Sequence, residues 1–173
     1  KQAREYKNTP NVIFEPFNEP IIAGDAVAND GGIENAKKTW KAIKPYLKAV
    51  TKAIRNEGAD NLVILGTPYY AQHVGVASND PILDDNGEPF KNVAYAFHFY
   101  AASHGPEAYY VKQGDGTGGY EPTYLAPALG KVPLFVSEWG TSHSDGGQGG
   151  NNYVDGKNTD WWFNTYINGE YHL

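Results

Sequence analysis

Four short, nearly unbroken apolar runs punctuate the chain: Asn11 to Phe14, Asn61 to Gly66, Val93 to Tyr100 and Val132 to Glu138. They recur at about 30 to 50 residues, the spacing of βα units rather than of hairpins. Leu62-Val63-Ile64-Leu65 and Leu134-Phe135-Val136 lack polar alternation, which suits parallel strands covered on both faces. Between the first two runs, Trp40, Ile43, Leu47, Val50 and Ile54 fall three or four residues apart within Gly32 to Gly58, a helical stripe. Pro45 lies inside that stripe, so the pattern predicts a short helix before it and a longer one starting there, stopped by Gly58. A further helix is predicted over Lys157 to Asn168, with Trp161, Trp162, Thr165 and Tyr166 on one face and Gly169 as its stop. Strands alternating with helices indicate an α/β architecture.

Composition narrows the picture. Of 173 residues, 40% are hydrophobic and 14% aromatic, enough to bury a core. The net charge is −6 and no basic cluster stands out, so nucleic acid is not an expected partner. There is no Cys, which removes disulfides, thiolate metal sites and cysteine nucleophiles. No apolar run approaches the roughly 20 residues of a membrane span, and the opening Lys1-Gln2-Ala3-Arg4-Glu5 is not followed by a signal-type apolar stretch. With no Met anywhere, the chain is expected to begin inside a longer precursor. The two Gly-rich segments, Gln113 to Gly119 and Asp145 to Gly150, do not sit between a strand and a helix as a phosphate-binding loop must. Asp80, Asp84, Asp85, Asn86 and Glu88 lack EF-hand spacing and read as a solvated turn around Asn86-Gly87. His73, His104, His143 and His172 lack zinc-type spacing. No metal and no cofactor are therefore expected.

The chemistry gathers where the apolar runs end: Asn18-Glu19, Thr67, His98 with Tyr100, and Glu138. Reactive groups at strand C-termini build the sites of (β/α) barrels and of open doubly wound sheets. Two carboxylates on one rim suit glycosidic cleavage with retention. One protonates the leaving oxygen while the other attacks the anomeric carbon, with the carboxyl groups about 5 to 5.5 Å apart. Mutual repulsion keeps one proton on such a pair. His98 and Tyr100 are two apart and so share one side of a strand. Thirteen Tyr, seven Phe and four Trp supply rings on which sugars can stack.

Phe14-Glu15-Pro16-Phe17-Asn18-Glu19-Pro20, His98-Phe99-Tyr100-Ala101 and Val136-Ser137-Glu138-Trp139-Gly140-Thr141-Ser142 resemble, in this order, the catalytic segments of family 5 glycoside hydrolases, specifically the bacterial endo-β-1,4-glucanase branch. The resemblance implies a (β/α)8 TIM barrel, of which residues 1–173 form a single partial catalytic domain covering roughly strands 4 to 7. Lys1 to Asn8 would then end the third helix, with the first three strands and the eighth absent. It also implies roles: Glu19 as acid/base, Glu138 as nucleophile, Asn18 bonded to the sugar 2-hydroxyl, and His98 and Tyr100 lining the site, Tyr100 donating toward the nucleophile. Trp139 follows the nucleophile, and Tyr70, in Gly66 to Gln72, is the candidate stacking platform on the leaving-group side. Implied too are a β-glucan polysaccharide substrate such as cellulose, secretion, and a monomeric full-length enzyme. A chain lacking half a barrel is expected to be inactive or poorly folded alone.

Other readings stay open at this point. The same mechanism could act on mannan, xyloglucan or mixed-linkage glucan, or the barrel could be a non-catalytic carbohydrate binder. The latter has no need of two opposed carboxylates. A serine hydrolase is set aside because no G-x-S-x-G elbow occurs.

Overall fold

A computed structural model of the chain describes residues 1–22, 32–104, 125–143, 154–169 and 173. Both Gly-rich segments lie outside the described residues. The elements run α1 (Gln2–Tyr6), α2 (Ile33–Asn56), β1 (Val63–Leu65), α3 (Pro68–Ala71), α4 (Val74–Asn79), β2 (Val93–Tyr100), a 3-10 turn (Ala126–Ala128), β3 (Leu134–Gly140), α5 (Gly156–Trp162) and a π turn (Phe163–Ile167). The strands form one parallel sheet in the order β1-β2-β3. No helix among the described residues is long and apolar enough to cross a membrane.

The first apolar run does not become a strand. Phe14 alone bridges Val63 in parallel, with Phe14 N donating to Leu62 O at 2.9 Å and Ile64 N to Phe14 O at 2.8 Å. Pro10 and Pro16 flank the run and supply no N–H to a ladder, so pairing stops after one bridge. Asn61 fastens its approach: Nδ2 donates to Thr9 O at 2.8 Å and to Val12 O at 3.0 Å.

Alternation along the sheet separates two faces. On the outer face Val63, Leu65, Tyr95, Phe97 and Phe99 pack with Trp40, Leu47 and Ile54 of α2, Val74 and Ala77 of α4, and Trp162 and Tyr166. Phe99 and Trp162 stack with centroids 4.4 Å apart. On the inner face lies a small cluster of Ile64, Ala71 and Ala96, with Leu62 and Phe135 against it. The sheet curls about that inner face, because the Glu15 carboxylate of the first segment accepts a hydrogen bond from Ser137 Oγ on β3 at 3.1 Å.

One helix, not two, spans Ile33–Asn56 through Pro45. Pro45 is exposed, and the buried stripe of Ala36, Trp40, Leu47, Thr51 and Ile54 continues unbroken on the opposite side. An interior Pro costs about 3 kcal/mol, whereas burying Trp40 and Leu47 contributes about 1.5–3 kcal/mol each, so packing carries the helix past the break. Gly58 follows the helix end with φ 74°, a left-handed turn that Gly adopts without strain. The last helix is also modified, since the α-helical Gly156–Trp162 passes into the π turn.

The acidic segment is a turn in which Asp84 Oδ1 accepts from Asn86 N at 2.8 Å and Glu88 N at 2.9 Å. It also faces α2: Lys44 pairs with Asp80, Lys52 with Asp85, and Lys48 Nζ donates to Asp84 O at 3.2 Å. These exposed pairs are each worth little, at most about 1 kcal/mol.

Arg55 clamps the end of the sheet opposite the strand C-termini. Its guanidinium donates to Ala59 O, Asn61 O, Lys91 O and Asn92 O at 2.8, 3.1, 2.8 and 2.8 Å. In a barrel carrying this segment, Arg55→Leu is expected to lower unfolding free energy by about 2–3 kcal/mol, the scale of charge-assisted hydrogen bonds lost together. Chemical denaturation checks this, and ligand affinity at the far rim should be unchanged.

Candidate active site

The C-terminal ends of β2 and β3 owe their geometry to one irregularity. Ala96 pairs with Phe135 and His98 with Glu138, so β2 advances two residues while β3 advances three. This is a β-bulge, which breaks alternation and re-aims side chains. Consequently Ser137 and Glu138, adjacent in sequence, both reach His98: Ser137 Oγ lies 2.9 Å from Nε2, and a Glu138 oxygen 3.9 Å from Nδ1.

Glu19 arrives from the segment after Phe14. Its Oε1 is 2.8 Å from His98 Nδ1, and the His98 side chain is 1% exposed against 28% for Glu19. That segment lies tight on β1, because a Cβ on Gly66 would collide with the carbonyl oxygen of Phe17 and come within 2.8 Å of that of Asn18. Only glycine allows this approach. Asn18 is exposed beside Glu19.

Tyr100, two residues beyond His98, donates its hydroxyl to Glu138 Oε1. That hydrogen bond, with burial and the charges of Glu138 and Glu19, pushes the phenol up to about 12, so it stays a neutral donor. Its ring lies over Gly140, where a Cβ would stand 2.6 Å from Tyr100 Cδ1. The far side is held by His104, whose Nδ1 accepts from Tyr100 N at 2.9 Å while its carbonyl accepts from Trp162 Nε1 at 2.6 Å.

One donor atom each from Glu19, His98 and Glu138 fall within 4.8 Å of one another. Within the cluster both His98 ring nitrogens have a partner, Nδ1 with Glu19 and Nε2 with Ser137.

Two sequence candidates stand apart. Trp139 points to the opposite face of β3 from Glu138, stacked on Phe99 at 6.1 Å and edge-on to Phe163 at 4.9 Å. Its indole, 47% exposed, packs on the outer layer and is not brought together with the carboxylates, unlike His98 and Tyr100, which were expected to line the site with it. The cause is alternation resumed after the bulge. Tyr70 is 42% exposed at the rim beyond β1, in a turn where Tyr69, Tyr70 and Ala71 have φ of 57°, 57° and 55°. Non-glycine residues there cost about 1–3 kcal/mol each. The turn is tied down by Thr67 Oγ1 to Ala96 O at 2.8 Å and Tyr69 N to Pro20 O at 2.9 Å. Sequence reading assigned no part to Glu15, Ser137, His104, Gly66 or Gly140. For Ser137 a signal existed, since two consecutive polar residues interrupt an otherwise apolar strand.

The model of the family described as Cellulase (glycosyl hydrolase family 5) matches residues 1–170. This chain belongs to that family. It is 38% identical over 164 residues to Endoglucanase Z of Dickeya dadantii (strain 3937), covering 94% of the chain and 30% of that protein. The alkaline cellulase K catalytic domain superposes with a TM-score of 0.65 at 28% identity, over 94% of this chain and 43% of that one. A thermostable, highly halotolerant GH5 cellulase from an Icelandic hot spring isolate gives 0.67 at 27% identity, over 97% and 47%. The chain thus spans under a third of Endoglucanase Z and less than half of either solved cellulase. Its parallel strands are a sector of the family's (β/α)8 barrel.

Burial pushes the His104 imidazole down to about 4, so it is neutral where it accepts from Tyr100 N. An unfolded His takes up its proton near 6.5, so between about 6.5 and 4 the unfolded state binds the extra proton and folding weakens as pH falls. Denaturation midpoints should be flat in this respect above pH 6.5 and decline toward pH 4. His104→Asn, which keeps an acceptor near Nδ1 but cannot titrate, should flatten the decline.

Proposed function

We propose that the protein carrying this segment is a retaining endo-β-1,4-glucanase acting on cellulose or related β-glucans. The observation that carries this is the carboxylate pair: one oxygen of Glu19 and one of Glu138 lie within 4.8 Å, each with its own hydrogen-bond partner. Retention needs carboxyl groups about 5–5.5 Å apart, and inversion leaves room for a water at about 6.5–9.5 Å. In the first step Glu138 attacks the anomeric carbon and Glu19 delivers a proton to the departing glycosidic oxygen. In the second, Glu19 takes a proton from water, whose oxygen displaces Glu138 from the sugar.

Tyr100 supplies the neutral donor that steadies the charge on Glu138. Asn18, exposed next to Glu19, is positioned to meet the sugar 2-hydroxyl. Tyr70, exposed at the same rim, supports stacking against a sugar on the leaving-group side. The substrate class rests on family membership and on the printed names of the relatives, an endoglucanase and two cellulases. A substrate polymer too large to enter a cell supports an extracellular enzyme.

In a complete barrel carrying this segment, Glu138→Ala should abolish turnover while cello-oligosaccharide binding persists. Proton NMR of the wild-type reaction should show the β-anomer of the new reducing end first; first appearance of the α-anomer overturns retention. Chain completeness matters separately. Residues 1–173 purified alone are expected to release no reducing sugar from carboxymethyl cellulose, and measurable release counts against the need for the remaining strands.

A further inference from the structure

Four side chains form a continuous hydrogen-bonded line across the inner face: Glu15, Ser137, His98 and Glu19. Ser137 Oγ donates to Glu15 Oε1 at 3.1 Å, His98 Nε2 lies 2.9 Å from Ser137 Oγ, and His98 Nδ1 lies 2.8 Å from Glu19 Oε1. The direction of each bond follows from the first. A carboxylate only accepts, so the single Ser137 proton is committed to Glu15, and toward His98 the hydroxyl oxygen must accept. Nε2 therefore carries a hydrogen.

That assignment decides what happens at the other nitrogen. In the neutral Nε2–H tautomer, Nδ1 presents a lone pair to Glu19, and a lone pair cannot face a carboxylate at 2.8 Å without a proton between them. Whether the proton sits on Glu19 or on His98, the two hold one that can be delivered. With the opposite tautomer, Nδ1–H would satisfy an ionised Glu19 and no proton would be in reserve. Among the described residues, the other groups facing this point are Glu138, 3.9 Å from Nδ1, and the Tyr100 hydroxyl, which is turned to Glu138.

We propose that Ser137 and Glu15 are positioning residues that fix His98 as the Nε2–H tautomer and thereby keep the general-acid proton at Glu19. This rests on the acid/base reading of Glu19 given above. The proton leaves the Glu19–His98 pair for the glycosidic oxygen as the bond from that oxygen to the anomeric carbon breaks and the bond to Glu138 forms. Ser137 and Glu15 touch no substrate and act through His98 alone. The bulge is what allows it, because only there do two consecutive β3 residues turn inward, one to each task.

The test compares leaving groups in a complete barrel carrying the segment. Cello-oligosaccharides need a proton on the departing oxygen; a 2,4-dinitrophenyl β-cellobioside does not. Ser137→Ala is expected to slow the former by about tenfold, a fraction of the usual general-acid contribution, and to leave the latter near wild type. Ser137→Thr, which restores the hydroxyl, should recover the oligosaccharide rate. Glu15→Ala, at an exposed position tolerant of change, should cause a smaller loss of the same selectivity, because the freed Ser137 hydroxyl can then turn to donate to Nε2. In 15N-resolved NMR the His98 Nε2 should read as protonated in wild type and lose that signature in Ser137→Ala. Equal loss on both substrates, no loss on either, or an unchanged His98 signature in Ser137→Ala overturns the proposal. Glu19→Ala separates it from the underlying reading: if that variant is not selectively impaired on oligosaccharides, the acid role of Glu19 fails, while the nitrogen signature still reports whether Ser137 sets the tautomer.

Discussion

The site depends on the extra residue that β3 inserts opposite β2. Parallel strands in register alternate strictly, and a β3 without the bulge would turn Glu138 outward into the layer of Phe97, Phe99 and Trp162. A carboxylate in such an apolar layer, far from any cationic partner, is strongly disfavoured. With the bulge, Ser137 and Glu138 both face His98, Trp139 returns to the outer layer, and Gly140 falls under the Tyr100 ring. One inserted residue thus sets three side-chain directions and the place of one glycine. The ladder resumes at once, Phe99 pairing with Trp139 and Tyr100 with Gly140, so the bulge is clamped from beyond as well as from below.

The two ends of the sheet do different work. At the N-terminal end Arg55 and Asn61 gather loop carbonyls, satisfying backbone groups that would otherwise lie unpaired near the core. At the C-terminal end the polar groups serve one another: Glu19 with His98, Glu138 with Tyr100, Ser137 with Glu15. Stability concentrated at one rim and reactivity at the other is the usual division in (β/α) barrels. Close backbone approach at Gly66 ties the Glu19 segment to β1, so the rigid sheet, and not the loop alone, positions the acid/base candidate.

Much of this was legible in the chain. Uninterrupted apolar runs marked β2, which is buried along nearly its whole length, and the half-buried β3, and the placing of His98 with Tyr100 on one face followed from their spacing. Three features were not. The single helix through Pro45 depends on tertiary burial of Trp40 and Leu47, which no local rule weighs against a proline. The reduction of the first run to one bridge at Phe14 reflects prolines on both sides of a short segment. The place of Trp139 depends on a register shift, and register lies in hydrogen-bond pairing between strands about 40 residues apart in sequence, not in the composition of either one.

Two glutamates so close together could be interchangeable; their partners make them different. Glu138 meets a phenol held up to about 12, a donor that stays neutral and gives its hydrogen bond most strongly when the oxygen it meets is fully negative. Such a partner favours the ionised carboxylate a nucleophile must be. Glu19 meets an imidazole nitrogen that, in the Nε2–H tautomer proposed above, has only a lone pair to offer, so the favourable arrangement there contains a proton. Under the proposed assignment the same side chain serves as an attacking anion on one strand and a proton carrier on another segment, and what separates the two is which atom of β2 each one faces: the hydroxyl of Tyr100 or, two residues earlier, the Nδ1 of His98.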